Sequence, residues 1–241
     1  MKVIAINASP MMDRGNTAEI LTPFLEGIKD AGAEVELFYL KKLQIHPCQG
    51  DLGCWFNTPG ACYQKDDMEM LLPRLADAEI WIFATPVYVD GMPGPLKNLV
   101  DRAIPLVQPY FELCDGHCRH PSRDGVKQGR LVLVATCGFW EMDNFDPLLA
   151  HIKAMCRNMN REFGGALLRP HGRALKWMLK KGEPVNDIFD AARLAGRQLV
   201  QEGGMSSQTL DAVSRPLMPL DAFIETSNRK FQKILEELEA K

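Results

Sequence analysis

Several features are missing from this 241-residue chain, and each absence argues against a class of protein. No apolar run is long enough to cross a bilayer, and the N-terminus starts with a strand-like run rather than a leader, so a cytoplasmic protein is expected. The formal net charge of −3 provides no basic stripe for nucleic acid or an anionic membrane. Seven cysteines are an odd number, which indicates thiols, metal ligands or redox chemistry rather than a disulfide framework.

The turn after the first strand also lacks the common nucleotide-binding signatures. Residues 2–7 are rich in Val and Ile and predict a buried strand. Neither G-x-G-x-x-G nor G-x-x-x-x-G-K-[ST] follows, so a dinucleotide or a nucleoside triphosphate is not expected. Instead, Ser9 lies in the turn, and Asn16 or Thr17 can cap the next helix. Such a helix start favours an anion, usually phosphate, although an ordinary capped turn explains the same residues.

Beyond this turn, short apolar strands alternate with amphipathic helices. Alternation of this kind predicts a doubly wound α/β fold, a five-stranded parallel sheet with helices on both faces. In such folds ligands bind beyond the carboxyl ends of the strands, near the switch point between strands 1 and 3. Three loops should meet there, and they are called the first, second and third loops below: residues 8–17, 86–92 and 136–140. Further strands are predicted at 34–40, 79–85, 130–136 and 164–170, and helices at 68–78, 96–104, 147–161, 185–202 and 220–238.

Two of these loops resemble those of one enzyme family. The segment ASPMMDRGNT is similar to the flavin-phosphate loop of the flavodoxin-like NAD(P)H-dependent FMN reductases. The segment TPVYVDGMPGPLKNLVDR is similar to the T-P-x-Y segment of FMN and quinone reductases of that fold. The resemblance implies a flavodoxin-like sheet of order 2-1-3-4-5. It further implies an FMN-binding core over residues 1–170, with insertions at about 41–67 and 105–129, and a C-terminal helical part of the same domain over 171–241.

The resemblance also implies which residues hold FMN. The first loop would bind the phosphate, and the second would provide a flat apolar slot with backbone N–H groups for the ring. In the third loop Gly138 would permit a close backbone approach, and Phe139 would stack on the ring or cover it. Ordinary packing at strand ends is the alternative for these loops. The implied cofactor-binding residues are Ser9, Arg14, Gly15, Asn16, Thr17, Pro86, Val87, Tyr88, Val89, Met92, Thr136, Cys137, Gly138 and Trp140.

The implied activity is that of an FMN-dependent oxidoreductase. Hydride would pass from NAD(P)H to flavin N5, and electrons would then pass to a small acceptor such as a flavin, a quinone, or a nitro or azo compound. No catalytic side chain is required, since the flavin carries the chemistry. A homodimer or homotetramer is implied as well. Two alternatives stay open: an electron-transfer flavoprotein fed by a protein partner such as ferredoxin, with or without a metal centre, and a redox-sensing domain that retains the fold.

Two cysteine-containing segments need separate interpretation. Cys48, Cys54 and Cys62 lie in a segment, here called the cysteine loop (residues 48–62), that resembles the motif of iron–sulfur flavoproteins with Asp51 at the second of four cysteine positions. Four-iron clusters normally take four thiolates, so we expect no cluster and treat these cysteines as free or redox-active thiols. The segment CDGHCRH (114–120) lacks the second ligand pair of a zinc site, which favours a lid or a dimer contact.

Overall fold

The computed structural model describes residues 1–239, which form seven strands and nine α-helices. The strands are β1 (Lys2–Asn7), β2 (Glu34–Tyr39), β3 (Ile80–Pro86), β4 (Glu112–Cys114), β5 (His117–Arg119), β6 (Arg130–Thr136) and β7 (Glu162–Arg169). The helices are α1 (Asn16–Asp30), α2 (Gly53–Phe56), α3 (Met68–Asp77), α4 (Gly94–Asp101), α5 (Asp146–Asn158), α6 (Gly172–Lys181), α7 (Asn186–Gln201), α8 (Ser207–Ser214) and α9 (Leu220–Glu239).

The main sheet has the order β2-β1-β3-β6-β7, and each neighbouring pair is parallel. Counted among the five sheet strands alone, this is the predicted order 2-1-3-4-5. The numbering shifts because β4 and β5 form a separate antiparallel hairpin that the sequence pattern did not predict. Since β1 pairs with β2 on one side and β3 on the other, the direction of winding reverses between β1 and β3. The first, second and third loops therefore leave the sheet at one edge.

An apolar layer on each face of the sheet holds the helices in place. Alternate strand residues point to opposite faces. In β1, Ile4 and Ile6 belong to the apolar layer between the sheet and helices α3, α4 and α5. Val3 and Ala5 belong to the layer between the sheet and helices α1 and α7. The near-continuous apolar strands in the sequence thus reflect a sheet that is buried on both sides.

Helix α7 packs directly on α1. A Cβ on Gly27 would lie 1.9 Å from the carbonyl oxygen of Arg193, and one on Gly196 would lie 2.2 Å from the carbonyl oxygen of Phe24. Backbones this close leave room only for glycine at both positions. Residues C-terminal to 170 therefore contribute to the main core, and their assignment to one domain with residues 1–170 stays a prediction.

Helix α3 confirms the helix predicted at 68–78. It continues through Pro73, because burial of Met68, Leu71 and Leu75 outweighs one lost backbone hydrogen bond. Several other elements differ from the prediction. Helices α6 and α8 were not predicted. The predicted helix at 96–104 is instead α4, which begins at Gly94 and ends at Asp101. Within residues 1–239 no helix, the 20-residue α9 included, combines the length and apolar character required to span a bilayer.

Candidate functional site

The first loop leaves β1 as a compact turn around Ser9. The side-chain Oδ1 of Asn7 accepts a hydrogen bond from the Ser9 N–H at 2.9 Å, and the Ser9 hydroxyl accepts one from the Met11 N–H at 3.3 Å. Both Asn7 and Ser9 are buried. A Cβ on Gly15 would lie only 2.4 Å from Ser9 Oγ, so the backbone at Gly15 packs against that hydroxyl. Ser9 is therefore held at the centre of the turn, and Gly15 is the residue that makes room for it.

The start of α1 differs from the prediction that Asn16 or Thr17 caps it. Gly15 is the N-cap, and its extended backbone (φ −81°, ψ 157°) starts the helix one residue earlier. Glycine has no side chain to accept a hydrogen bond, so the first turn lacks the cap that Ser, Asp or Asn would supply. The N–H groups and the positive end of the helix dipole consequently face the first loop. The side chains of Asp13 and Arg14 are exposed.

The first and third loops meet through two hydroxyl groups. Thr17 Oγ1, in the second residue of α1, lies 2.9 Å from Thr136 Oγ1 at the end of β6. Both side chains are buried. Since a hydroxyl can donate one hydrogen bond and accept two, each retains capacity for a further partner. The structure thus brings the N-terminus of α1 and the end of β6 to one point.

The second loop is fixed to the same point by its backbone. Pro86 pairs with Thr136 in the β3–β6 register, and the Val87 N–H donates to the Thr136 carbonyl oxygen at 2.8 Å. The side chains of Val87 and Met92 are half-buried against the apolar layer under α3 and α4. The prediction that the three loops converge is borne out by these contacts, whereas the role of the residues in cofactor binding stays a prediction.

The tip of the second loop is a tight two-residue turn. Tyr88 and Gly91 exchange two backbone hydrogen bonds, of 2.9 and 3.2 Å, and enclose Val89 and Asp90. These two residues have positive φ angles of 45° and 63°, and Val89 is 99% exposed. A positive φ is unfavourable for a β-branched residue, so the turn stores strain at an exposed apolar tip. Tyr88 is half-exposed next to it.

In the third loop, Cys137 is a small buried residue rather than a reactive thiol. Its Sγ donates to the Phe139 carbonyl oxygen at 3.4 Å, and burial raises the pKa of the thiol. Phe139 is largely exposed. Among the described residues, no atom outside the adjacent residues lies within 4 Å of a Cβ built on Gly138. Gly138 and Phe139 therefore leave open space at this edge.

Trp140 faces the C-terminal part of the chain. Its indole Nε1 donates to the Met218 carbonyl oxygen at 2.9 Å, and its ring stacks on His171 with 6.2 Å between centroids. The prediction that Trp140 borders the cofactor is untested, and its indole N–H is already engaged. The third loop is thereby tied to residues that follow α8.

Arg169 and His171, which the sequence analysis did not assign to the site, support the third loop from behind. Arg169 is fully buried at the end of β7 and donates to the carbonyl oxygens of Val213 and Arg215 at 2.7 Å each. His171 Nε2 accepts from the Leu217 N–H at 3.1 Å, and burial lowers the pKa of His171 to about 4. Arg169 is the last residue of β7 and His171 follows it, so both lie at the carboxyl end of a sheet strand, where doubly wound folds bind ligands.

Helix α6 lies against the start of α1, another contact that was not predicted. A Cβ on Gly172 would lie 3.3 Å from Thr136 Cβ and 3.5 Å from Asn16 Cβ. One turn later, Lys176 Nζ donates to the Arg14 carbonyl oxygen and lies 3.1 Å from the carboxylate of Glu19. The first loop is therefore enclosed between β6, α1 and α6.

The cysteine loop is anchored by a buried ion pair. Arg102 Nη1 and Nη2 donate to the Asp66 carboxylate at 2.6 and 3.1 Å, and Nη1 also donates to the His46 carbonyl oxygen at 2.9 Å. Both side chains are about 1% exposed or less. Arg102 follows α4, and α4 follows the second loop. Arg102 therefore connects the chain that follows the second loop to the cysteine loop.

The thiols of the cysteine loop are neighbours, but they do not fit an iron–sulfur cluster. Burial raises the pKa of Cys54, as do the nearby Cys62, Cys48 and Asp51. The donors comprise three thiols and one carboxylate, one thiolate short of the usual set. In the part of the chain that the structure describes, no three His, Cys, Asp or Glu side chains converge to hold a metal ion.

The hairpin of β4 and β5 presents its cysteines to solvent. Cys114 and Cys118 are exposed free thiols. His120, just after β5, packs between Trp55 and Phe111, with ring centroids 4.7 and 4.8 Å away. The hairpin thus leans on the cysteine loop through Trp55, and its role as a lid or dimer contact stays a prediction.

Comparison with known proteins assigns the chain to a family. Residues 1–139, more than half of the chain, match the family described as NADPH-dependent FMN reductase. The chain belongs to this family. An iron-sulfur flavoprotein from Archaeoglobus fulgidus is 37% identical over 103 residues, which are 43% of this chain and 49% of that protein. The putative NAD(P)H-dependent FMN-containing oxidoreductase YwqN from Bacillus subtilis is 33% identical over 102 residues, 42% of this chain and 51% of that protein.

These alignments span about half the length of the curated relatives. Solved structures extend the likeness at the level of the fold. An FMN-dependent NADH-azoreductase from Bacillus anthracis, in complex with FMN, superposes with a TM-score of 0.61 at 16% identity over 83% of this chain and 99% of that one. An NAD(P)H:quinone oxidoreductase from Methanothermobacter marburgensis gives a TM-score of 0.56 at 16% identity over 83% and 96%. The predicted flavodoxin-like α/β fold is thereby confirmed.

Proposed function

We propose that the chain is an FMN-dependent oxidoreductase that uses NAD(P)H to reduce a small acceptor. The observation that carries this proposal is the contact between Thr17 and Thr136. It joins an uncapped helix start and a strand end at the switch point of the sheet, which is where doubly wound folds bind their ligands. Membership of the family and the names of its relatives support the same function.

The first loop suits the phosphate of FMN. Its donors are the N–H groups of the first turn of α1 and the hydroxyls of Ser9 and Thr17. A phosphate monoester carries several acceptor oxygens and a negative charge, which the positive end of the α1 dipole stabilises. Buried hydroxyls in place of a lysine favour a single terminal phosphate over the chain of a nucleoside triphosphate. The residues present therefore fit the phosphate end of the cofactor.

The second and third loops suit the ring. The backbone at Val87 is fixed by its hydrogen bond to Thr136, while Tyr88, Val89 and Phe139 expose apolar surface in the loops that leave the carboxyl end of the sheet. A bound flavin would supply the two-electron chemistry, and the chain would orient it and exclude water from one face. The proposed acceptors are a flavin, a quinone, or a nitro or azo compound, because an open apolar surface does not select among them.

An electron-transfer flavoprotein is the second candidate. The relatives named iron-sulfur flavoproteins and the grouping of Cys48, Cys54 and Cys62 favour it. The two candidates share FMN and differ in the source of electrons. In the second, a protein such as ferredoxin would reduce the flavin, and NAD(P)H would be inert.

One anaerobic experiment tests both candidates. Purified protein is loaded with FMN, and flavin absorbance is followed after addition of NADH, NADPH or chemically reduced ferredoxin. Bleaching by NADH or NADPH, followed by recovery on addition of a quinone, supports the oxidoreductase. Bleaching by ferredoxin alone supports the carrier. A chain that takes up no FMN refutes both and leaves the redox-sensing alternative. Light scattering on the same sample measures whether the proposed homodimer or homotetramer forms.

A further inference from the structure

Helix α6 places one lysine against the backbone of the first loop. Lys176 Nζ donates to the Arg14 carbonyl oxygen and pairs with Glu19 at 3.1 Å. The side chains of Lys176 and Glu19 are 28% and 21% exposed, so the pair is better shielded than a surface salt bridge. Residues 172–181 lie beyond the family match at 1–139, so the family does not account for this contact.

The contact fixes a particular peptide group. In the peptide between Arg14 and Gly15, the carbonyl oxygen accepts a hydrogen bond from Lys176 Nζ, and the N–H donates to the Met12 carbonyl oxygen at 3.2 Å. With both ends engaged, this peptide cannot rotate without breaking two hydrogen bonds. The extended conformation of Gly15, from which α1 starts uncapped, depends on that orientation.

The same helix restrains the site at a second point. The start of α6 at Gly172 packs against Thr136 and Asn16, close to the hydroxyl contact between the first and third loops. Lys176 therefore extends from a helix whose position is already set by the site. Its ammonium group does not need to reach a ligand in order to influence one.

We propose that Lys176 is a positioning residue that holds the first loop in its phosphate-binding conformation and so favours FMN over riboflavin. This inference rests on the proposed function. Glu19 neutralises much of the lysine charge. The effect on FMN binding therefore comes from the orientation of the Arg14–Gly15 peptide more than from attraction between the ammonium group and the phosphate. Because riboflavin lacks the phosphate, its binding does not depend on that orientation.

The experiment compares two flavins on matched variants. Dissociation constants for FMN and riboflavin are measured by quenching of flavin fluorescence, with Lys176→Met, Lys176→Arg and the control Lys180→Met, an exposed lysine on the same helix. We expect Lys176→Met to weaken FMN binding about tenfold and riboflavin binding less than about twofold, as loss of a charged hydrogen bond predicts. Lys176→Arg should retain most of the wild-type preference for FMN over riboflavin. Lys180→Met should show the full wild-type preference.

The outcomes separate this inference from the proposed function. A wild-type chain that binds neither flavin overturns both. A wild-type chain that prefers FMN, with the same preference in Lys176→Met, overturns the inference alone. Equal weakening of FMN and riboflavin also overturns it, because that pattern indicates general loss of structure. Circular dichroism checks folding, and Lys176→Arg provides the comparison should Lys176→Met fold poorly.

Discussion

The hydroxyl oxygens of Thr17 and Thr136 lie 2.9 Å apart, although 119 positions separate the two residues in the sequence. One belongs to the uncapped start of α1 and the other to the end of β6. The contact exists because both elements end at the same edge of the sheet. It makes the first and third loops one surface rather than two independent turns.

Removing one of these hydroxyls should weaken FMN binding. Thr17→Val keeps the shape of the side chain but leaves the buried Thr136 hydroxyl without its partner and removes one donor to phosphate. We expect FMN affinity to fall about tenfold, since a hydrogen bond to a charged group contributes roughly 1.5–3 kcal/mol. Fluorescence titration measures it. Thr17→Ser retains the hydroxyl and should bind as the wild type does; weakening by Ser as large as by Val would contradict the role given to the hydroxyl.

The sequence predicted the parts of this site that depend on local pattern. A strand followed by a polar turn and a helix, as at residues 2–17, is readable from periodicity, and the parallel sheet follows from the alternation of strands and helices. The strand order was implied by the family resemblance. The cap at Gly15 was missed because glycine is preferred there for its contact with Ser9, which only the folded turn reveals. Helix α6 was missed because its N-cap is His171 in a left-handed conformation (φ 39°), without a Ser, Thr or Asp signal.

The support behind the third loop was equally unreadable from local pattern. Arg169 is buried through hydrogen bonds to backbone carbonyl groups 44 to 46 residues away. Carbonyl groups carry no signature in the sequence, so nothing in the local pattern marks this arginine as a core residue. The same holds for Trp140, whose indole partner is the carbonyl oxygen of Met218. Long-range contacts to backbone therefore set the limit of the sequence analysis.

Stability should fall in mild acid because of His171. Burial lowers its pKa from 6.5 to about 4 in the folded chain. Between these values the unfolded chain binds a proton that the folded chain does not, so stability decreases as pH falls from about 6.5 towards 4 and is unaffected by this group above that window. The expected loss at pH 5 is about 2 kcal/mol. Urea unfolding at pH 7, 6 and 5 measures the slope.

The slope of the free energy of unfolding against pH, rather than its value at one pH, identifies the responsible group. His171→Gln should flatten the slope between pH 7 and 5 even though it also lowers stability at pH 7. His117 lies in the exposed hairpin, and His117→Gln is the matched control, expected to leave the slope unchanged. An unchanged slope in His171→Gln would assign the acid sensitivity to other groups.

The ion pair of Arg102 and Asp66 should be among the most costly contacts to break. Arg102→Met leaves a buried carboxylate without its counter-ion, which typically costs about 3–5 kcal/mol. Urea denaturation gives the change. Lys97→Met, at the exposed pair with Asp101, is the control and should cost far less. The double variant Arg102→Met with Asp66→Asn should be less destabilised than Arg102→Met alone; a larger loss would mean that the charge on Asp66 is not the cause.

The strained turn of the second loop offers a stabilising change. Val89 has a φ of 45° and is almost fully exposed, so replacing it removes strain and little burial. Asn tolerates this backbone region, whereas the left-handed conformation costs ordinary residues roughly 1–2 kcal/mol. Val89→Asn should raise the free energy of unfolding of the cofactor-free chain by about 1 kcal/mol. Val89→Ala removes the β-branch but lacks the side-chain amide that stabilises Asn in this region, and it should gain less. Equal stability of all three chains would show that the turn is relaxed.

A double-mutant cycle at Ser9 and Gly15 tests whether their contact shapes the phosphate loop. Gly15 has an ordinary φ of −81°, so Gly15→Ala introduces no backbone strain, only a Cβ placed 2.4 Å from Ser9 Oγ. That contact must displace the hydroxyl, and we expect FMN affinity to fall about tenfold or more.

Ser9→Ala removes the displaced atom and one donor, and should weaken binding on its own. In the Ser9→Ala background, Gly15→Ala should then cost much less, because the new Cβ no longer meets an oxygen. Residues in direct contact typically show such non-additivity at about 0.5–3 kcal/mol. Additive losses in the two backgrounds would place the effect of Gly15→Ala elsewhere, at its 3.3 Å contacts with Met11 and the Met12 carbonyl oxygen.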